Sequence, residues 1–283
     1  MLLGFNGSTT MHATLLEDIE HAEAAGFDLL EIWAAKLRAY LKKHSLADLR
    51  REFAGRRIKP VAINSIERIS FCANYREKRR VEEELDELGT VAHALGCPYI
   101  VVVPSFLTRP APKAAIVKET VSRLRTLSEQ AQNYPVNLAF EFLGFANCSV
   151  NTLALAWEIV AQVHRKNVGL VLDTFHFYTG GSQLKSILEL NRKKLFILHL
   201  NDAPPRPARQ KLQDRHRLYP GDGVIPLKQI LTRLDRIGYR RLASVEMFNP
   251  RYWREPPARV AKTAMQKCKQ AIGARAIAVR GTA

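Results

Sequence analysis

The chain has 283 residues, of which 47% are hydrophobic, which excludes global disorder and leaves room for a large core. No apolar run approaches the about twenty residues of a membrane span. The four cysteines form no CxxC pair and the N-terminus lacks a basic leader, so we expect a soluble, cytoplasmic protein. The net charge of +16 is scattered and not interleaved with aromatic residues, which favours a solvated surface over a nucleic-acid partner.

Eight short apolar or β-branched runs predict strands. They cover residues 2–5, 29–33, 60–64, 99–103, 136–142, 168–172, 195–200 and 242–245. Between them, apolar residues at three- and four-residue spacing predict helices that lie on a sheet. These cover residues 15–25, 46–53, 77–95, 114–133, 154–164, 227–237 and 260–272. Thr14 and Ser45 are typical capping residues at the start of the first two helices.

Strands that alternate with helices form either an open doubly wound sheet or a closed barrel. The first predicted strand is followed by NGST at residues 6–9, which lacks the glycine-rich turn typical of the open sheet. Even spacing along the whole chain favours an α/β protein with a (β/α)8 TIM barrel. We find no linker, so we expect one barrel domain over residues 1–273 and a loose C-terminal tail over residues 274–283.

Polar side chains stand at the ends of four consecutive predicted strands. Because the carboxyl ends of barrel strands converge on one face, we expect these side chains to lie together. Three neighbouring carboxylates repel one another unless a cation lies between them, and with one imidazole they predict a site for Mn²⁺, Mg²⁺, Co²⁺ or Zn²⁺. The candidate ligands are Glu141, Asp173, His199 and Glu246.

Further polar and aromatic residues follow the same strand ends. His176 comes shortly after Asp173, and Asp202 comes shortly after His199. The segment HRLYPGDG at 216–223 places Arg217 ahead of a tight turn, where a guanidinium suits a substrate oxygen or a developing enediolate. Three aromatic residues are candidates for apolar walls around a ring-shaped ligand: Trp33, Phe248 and Trp253.

These motifs resemble the xylose isomerase-like barrel superfamily of sugar isomerases and epimerases, over residues 2–272. The resemblance rests on VPSF, LAFEFLG, NVGLVLDTFHF, LHLND, RLYPGDG and SVEMFNP. Within the superfamily, VGLVLD-x-FHF and RxxPGxG are most similar to the inosose isomerases of myo-inositol catabolism. The resemblance implies that the four strand-end residues bind one divalent metal ion. The expected substrate contacts are His176, Arg217, Trp33 and Asp202.

The resemblance also implies an activity. An isomerase of this kind moves a ketone to the adjacent carbon of a cyclic polyol, from 2-keto-myo-inositol to 1-keto-D-chiro-inositol, through a cis-enediolate. The metal acidifies the C–H next to the ketone, and Glu141 or Glu246 takes the proton. A shift on one face needs one base, whereas epimerisation needs a base on each face. A ketose 3-epimerase, or an isomerase of hydroxypyruvate or free sugars, is therefore an alternative.

A DNA-repair nuclease of the endonuclease IV type shares the barrel and is the alternative from another class. The basic charge, His176 and the DRH segment at 214–216, which imitates an Asp-x-His metal motif, favour it. Strands two, three and four end at Trp33, Asn64 and Pro104, without the further histidines of a three-metal site. A non-catalytic metal-binding barrel is also an alternative. We expect a small keto-sugar or polyol as substrate, with no membrane partner, and a homo-oligomer stays open.

Overall fold

The computed structural model describes residues 1–273. Within this range, eight parallel strands close into a barrel in which sequence neighbours pair in order and β1 pairs with β8. The strands are β1 (Leu2–Asn6), β2 (Leu29–Trp33), β3 (Lys59–Ile66), β4 (Tyr99–Val102), β5 (Asn137–Glu141), β6 (Val168–Asp173), β7 (Leu195–Leu200) and β8 (Leu242–Val245). The predicted (β/α)8 TIM barrel is confirmed. The expected tail at 274–283 lies outside the described residues.

Helices connect the strands and cover the outside of the barrel. They are α1 (Leu15–Ala25), α2 (Ala34–Leu41), α3 (Leu46–Ala54), α4 (Tyr75–Leu95), α5 (Lys113–Ala131), α6 (Leu153–Val163), α7 (Thr174–Thr179), α8 (Leu227–Arg236) and α9 (Pro257–Ile272). Short 3₁₀ turns cover Gly7–Thr10, Leu184–Glu189, Arg209–Lys211, Asp214–His216 and Tyr252–Arg254. The predicted caps at Thr14 and Ser45 are confirmed, because both form capping boxes with an acidic residue three positions on.

The sequence pattern misses α2 and α7. Both helices are short, with 8 and 6 residues, so the apolar period has little length in which to show. In α2 the charged Lys36 also lies on the buried face, which hides the amphipathic pattern. Its ammonium group donates hydrogen bonds to the carbonyl oxygens of Gly7 and Thr10 and pairs with Asp18 at 2.6 Å. This buried pair fixes the turn that follows β1.

Side chains along each strand alternate between the barrel interior and the layer of helices. Leu170 and Leu172 belong to the large core between strands and helices, whereas Val171 belongs to a smaller cluster inside the barrel. Asp173 continues the alternation of Val171 and therefore points inward at the carboxyl end of β6. Ile197 and His199 repeat the same relationship on β7. The interior cluster thus forms the floor beneath the strand-end polar residues.

Of the helices within residues 1–273, none is both long and apolar enough to cross a membrane.

Candidate metal centre

Four strand ends bring together the four predicted ligands. The register of β6 and β7 sets Asp173 beside His199, while Glu141 ends β5 and Glu246 directly follows β8. One ligand atom from each residue lies within 4.8 Å of the others, and all four side chains are buried. Three carboxylate oxygens and one imidazole nitrogen are a donor set that suits a divalent metal ion.

Asparagine side chains and one backbone N–H donate hydrogen bonds to two of the carboxylates. Asp173 accepts hydrogen bonds from the backbone N–H of His176 at 2.7 Å and from Nδ2 of Asn201 at 2.8 Å. Oε1 of Glu246 accepts hydrogen bonds from Nδ2 of Asn6 at 3.0 Å and Nδ2 of Asn64 at 2.9 Å. The sequence reasoning missed these three asparagines as supports. Each follows an apolar strand segment, which is the signal that could have drawn attention to it.

His199 lies between carboxylates on both sides of its ring. Nδ1 is 3.1 Å from Oε1 of Glu141 and 3.2 Å from Oε2 of Glu246. Nε2 is 3.1 Å from Oε2 of Glu31, a buried residue of β2 that the sequence reasoning also missed. The only sequence signal for Glu31 is a charged residue in the middle of the apolar run LLEIW.

Burial and neighbouring charges shift the pKa values of Glu141, Asp173 and His199. Burial raises the pKa of Glu141 to about 8, against the opposing effect of His199. Burial alone would also raise the pKa of Asp173, but Arg217 and the two neighbouring histidines hold it well below its usual value. The pKa of His199 lies well above its usual value, since nearby glutamates outweigh the effect of burial.

The guanidinium of Arg217 is buried at the edge of the four candidate ligands. Nη1 lies 2.5 Å from Oδ2 of Asp173 and 3.1 Å from Oε2 of Glu246. On the other side, Nη2 lies 2.9 Å from Oδ1 of Asp214 and 2.9 Å from Nε2 of His176. The guanidinium thus offsets part of the negative charge and contacts three carboxylates and one imidazole.

His176 has one ring nitrogen without a protein partner in the described part of the chain. A guanidinium only donates hydrogen bonds, so Nε2 of His176 accepts from Arg217 and Nδ1 carries the ring proton. Nδ1 is buried, and no atom of residues 1–273 bonds to it. The residue lines the cavity above the four candidate ligands.

The cavity has a volume of about 180 Å³, below the ~300–1,000 Å³ typical of sites for drug-sized ligands, and so fits a small molecule. Trp33 and Phe248 form one wall, with ring centroids 5.5 Å apart in an edge-to-face arrangement. Both residues lie where the sequence predicts them. Trp253 does not line the cavity, because its Nε1 donates to the carbonyl oxygen of Ser8 and ties it to the turn after β1.

Asp202 does not reach the cavity, in contrast to its expected substrate contact. It continues the outward alternation of Leu198 and Leu200, which belong to the core between strands and helices. Its carboxylate accepts hydrogen bonds from the backbone N–H groups of Ala203, Gly221 and Ile225 at 2.8, 3.1 and 2.8 Å. Asp202 therefore holds the Pro-Gly-Asp-Gly turn in place.

The DRH segment does not form a second metal site in the structure. Asp214 pairs with Arg217, and Nδ1 of His216 accepts a hydrogen bond from the backbone N–H of Gln213. Within residues 1–273, the quartet of Glu141, Asp173, His199 and Glu246 is the one group of three or more potential ligands close enough to hold a metal ion. The ends of β2, β3 and β4 contribute Trp33, Asn64 and Pro104 to the cavity lining, and no histidine.

Comparison with known proteins identifies the family. The family model described as "Xylose isomerase-like TIM barrel" matches residues 19–271. Inosose isomerase of Bacillus velezensis is 39% identical over 276 residues, covering 96% of this chain and 97% of that protein. Inosose isomerase of Bacillus subtilis is 40% identical over 268 residues, covering 93% and 95%.

A solved structure supports the same assignment. The crystal structure of the IolI protein with a binding zinc atom has a TM-score of 0.93 and 37% sequence identity, and covers 96% of this chain and 98% of its own. The chain therefore belongs to the xylose isomerase-like TIM barrel family.

Proposed function

We propose that this protein is a divalent-metal-dependent isomerase that converts 2-keto-myo-inositol to 1-keto-D-chiro-inositol. The observation that carries the proposal is the identity of 37–40% to inosose isomerases along nearly the whole chain. The buried quartet and the small cavity above it support the proposal independently. The substrate is a neutral ring that carries a ketone beside a hydroxyl group.

The residues that hold the metal are Glu141, Asp173, His199 and Glu246. The bound ion supplies polarisation of the ketone and its neighbouring hydroxyl, which makes the hydrogen on the hydroxyl-bearing carbon acidic. Arg217 keeps Asp173 and Glu246 turned toward the site through Nη1. His176 donates its free Nδ1–H to a substrate oxygen, and Trp33 packs against the ring.

Glu141 is the base that we favour of the two glutamates. Both oxygens of Glu246 already accept hydrogen bonds, from Asn6 and Asn64 on Oε1 and from Arg217 on Oε2. Of the two oxygens of Glu141, only Oε1 has a hydrogen-bond partner among residues 1–273, the ring of His199. Glu141 also lines the cavity. Its Oε2 takes the proton from the hydroxyl-bearing carbon and returns it to the former ketone carbon. The hydroxyl proton moves to the former ketone oxygen, so the ketone shifts by one carbon.

One available base favours isomerisation over epimerisation, which needs a second base on the opposite face of the substrate. The nuclease alternative is not favoured, because the described cavity lacks the further histidines of a three-metal site. The four cysteines have free thiols, which agrees with the cytoplasm as the proposed location. We propose residues 1–273 as one catalytic domain.

Product analysis tests the substrate. The Mn²⁺-loaded protein is incubated with 2-keto-myo-inositol and, in parallel, with D-fructose, D-psicose and hydroxypyruvate, and the products are identified by NMR. The proposal predicts 1-keto-D-chiro-inositol from the first compound, with slower or no turnover of the others. Turnover of a linear ketose with none of the inosose would reject the proposed substrate.

A further inference from the structure

The side chain of Glu31 contacts the candidate metal centre from a strand on another side of the barrel. It belongs to β2, whereas its partner His199 belongs to β7, and these strands are not neighbours in the sheet. Both side chains are fully buried, and Oε2 of Glu31 lies 3.1 Å from Nε2 of His199. Glu31 does not line the cavity, so it cannot touch a substrate there.

Carboxylate oxygens face both ring nitrogens of His199, from Glu31 at Nε2 and from Glu141 and Glu246 at Nδ1. A cation among the four candidate ligands would take the lone pair of Nδ1, and the carboxylate of Glu31, which accepts hydrogen bonds, then holds the ring proton on Nε2. The lone pair then lies on Nδ1, which faces Glu141, Glu246 and, at 3.8 Å, Asp173. A metal ion binds the nitrogen that has no proton.

We propose that Glu31 is a positioning residue that selects the Nε2–H tautomer of His199 and orients its Nδ1 toward the metal. The inference rests on the proposed metal dependence, but not on the identity of the sugar. Hydrogen bonds of this type, from a ligand histidine to a carboxylate, orient the ring and increase its basicity.

A second observation separates this role from ordinary packing. Oε1 of Glu31 is buried and has no hydrogen-bond partner within residues 1–273. Burial of an incompletely bonded carboxylate is unfavourable for folding, and a hydrophobic residue of similar size would avoid that cost. Glu31 occupies this position although its one hydrogen bond is to a candidate metal ligand.

The test compares Glu31→Gln with the wild type and with Glu82→Gln. Glutamine keeps the size of the side chain, but its amide group can donate to Nε2 and so favour the other tautomer. Glu82 lies on α4 and pairs with Arg123 at 3.2 Å, away from the site, so its variant controls for the loss of a carboxylate. Zn²⁺ affinity is measured on the metal-free proteins by competition with a chromophoric chelator, and circular dichroism checks the fold.

We expect Glu31→Gln to weaken Zn²⁺ binding about 10- to 100-fold, with Glu82→Gln close to the wild type. In the Zn²⁺-loaded wild type, NMR of ¹⁵N-labelled histidine, assigned with a His199→Gln variant, should show the proton of His199 on Nε2. Equal affinities of Glu31→Gln and wild type, or a proton on Nδ1, would overturn the role of Glu31. Failure of the wild type to bind Zn²⁺, Mn²⁺ or Co²⁺ would instead overturn the proposed function.

Discussion

Arg217 and Asp173 form a fully buried ion pair, with Nη1 of the guanidinium 2.5 Å from Oδ2 of the carboxylate. Asp173 is a candidate metal ligand that also caps α7 and so fixes the backbone of His176. The same guanidinium binds the ring of His176. The pair therefore joins the candidate metal centre to the proposed substrate contact.

Replacement of Arg217 by lysine tests this geometry. Lysine keeps the positive charge, but a single ammonium group cannot reach Asp173, Asp214 and His176 at once. We expect kcat to fall by about 10²- to 10³-fold, as when a group aligned with a transition state is lost. Steady-state kinetics checks the result, with Arg215→Lys, an exposed position of the same segment, as the control. A kcat within twofold of the wild type would show that the charge alone suffices.

The two ring nitrogens of His176 can be tested separately. Asparagine places an amide N–H near the position of Nδ1, whereas glutamine places its amide group near Nε2, beside Arg217. If Nδ1–H binds the substrate, KM should rise about fivefold in His176→Gln, which corresponds to one neutral hydrogen bond of about 1 kcal/mol. His176→Asn should retain most of the affinity. The opposite order of the two KM values would assign the contact to Nε2.

Gly144 allows close packing between the end of β5 and the helix that carries His176. A Cβ atom at this position would lie under 3.0 Å from the carbonyl oxygen of His176 and from the backbone nitrogen of Gly180. Gly144→Ala should therefore displace α7, lower the free energy of unfolding by about 1–3 kcal/mol and reduce kcat/KM.

Urea unfolding and kinetics measure both effects. Gly55→Ala is the matched control, because no described atom would lie within 4 Å of its Cβ and its φ of −94° is allowed for alanine. Its free energy of unfolding should change by less than about 0.5 kcal/mol. If the two alanine variants were equally stable and active, the close packing at Gly144 would not matter for the site.

The sequence predicts the barrel and the quartet well because both follow from regular periods. The evenly spaced alternation of strands and helices specifies the barrel. Because the carboxyl ends of barrel strands converge on one face, the rule brings together Glu141, Asp173, His199 and Glu246. Asp202 shows where that rule was applied too loosely. The two-residue period of β7 already directs it outward when His199 points inward, so the period was sufficient to exclude it.

Glu31, Asn6 and Asn64 could not be assigned from the sequence in the same way. Each is a polar residue on an inward-facing strand position, but its partner depends on barrel closure and register. Glu31 lies 168 positions from His199, and Asn6 lies 240 positions from Glu246. The pairing of Arg217 with His176 depends on a loop conformation that no period describes.

Deuterium incorporation tests the central claim, that a carboxylate of the quartet moves a proton between neighbouring carbons. The Mn²⁺-loaded protein converts 2-keto-myo-inositol in D₂O, and the product is examined by NMR and mass spectrometry, with Glu141→Gln in parallel. We predict deuterium on the former ketone carbon, since the base exchanges its proton with solvent, and no deuterium incorporation with Glu141→Gln. Product formed at the normal rate by Glu141→Gln, with or without deuterium, would contradict the account, because that variant has no carboxylate at position 141 to move the proton.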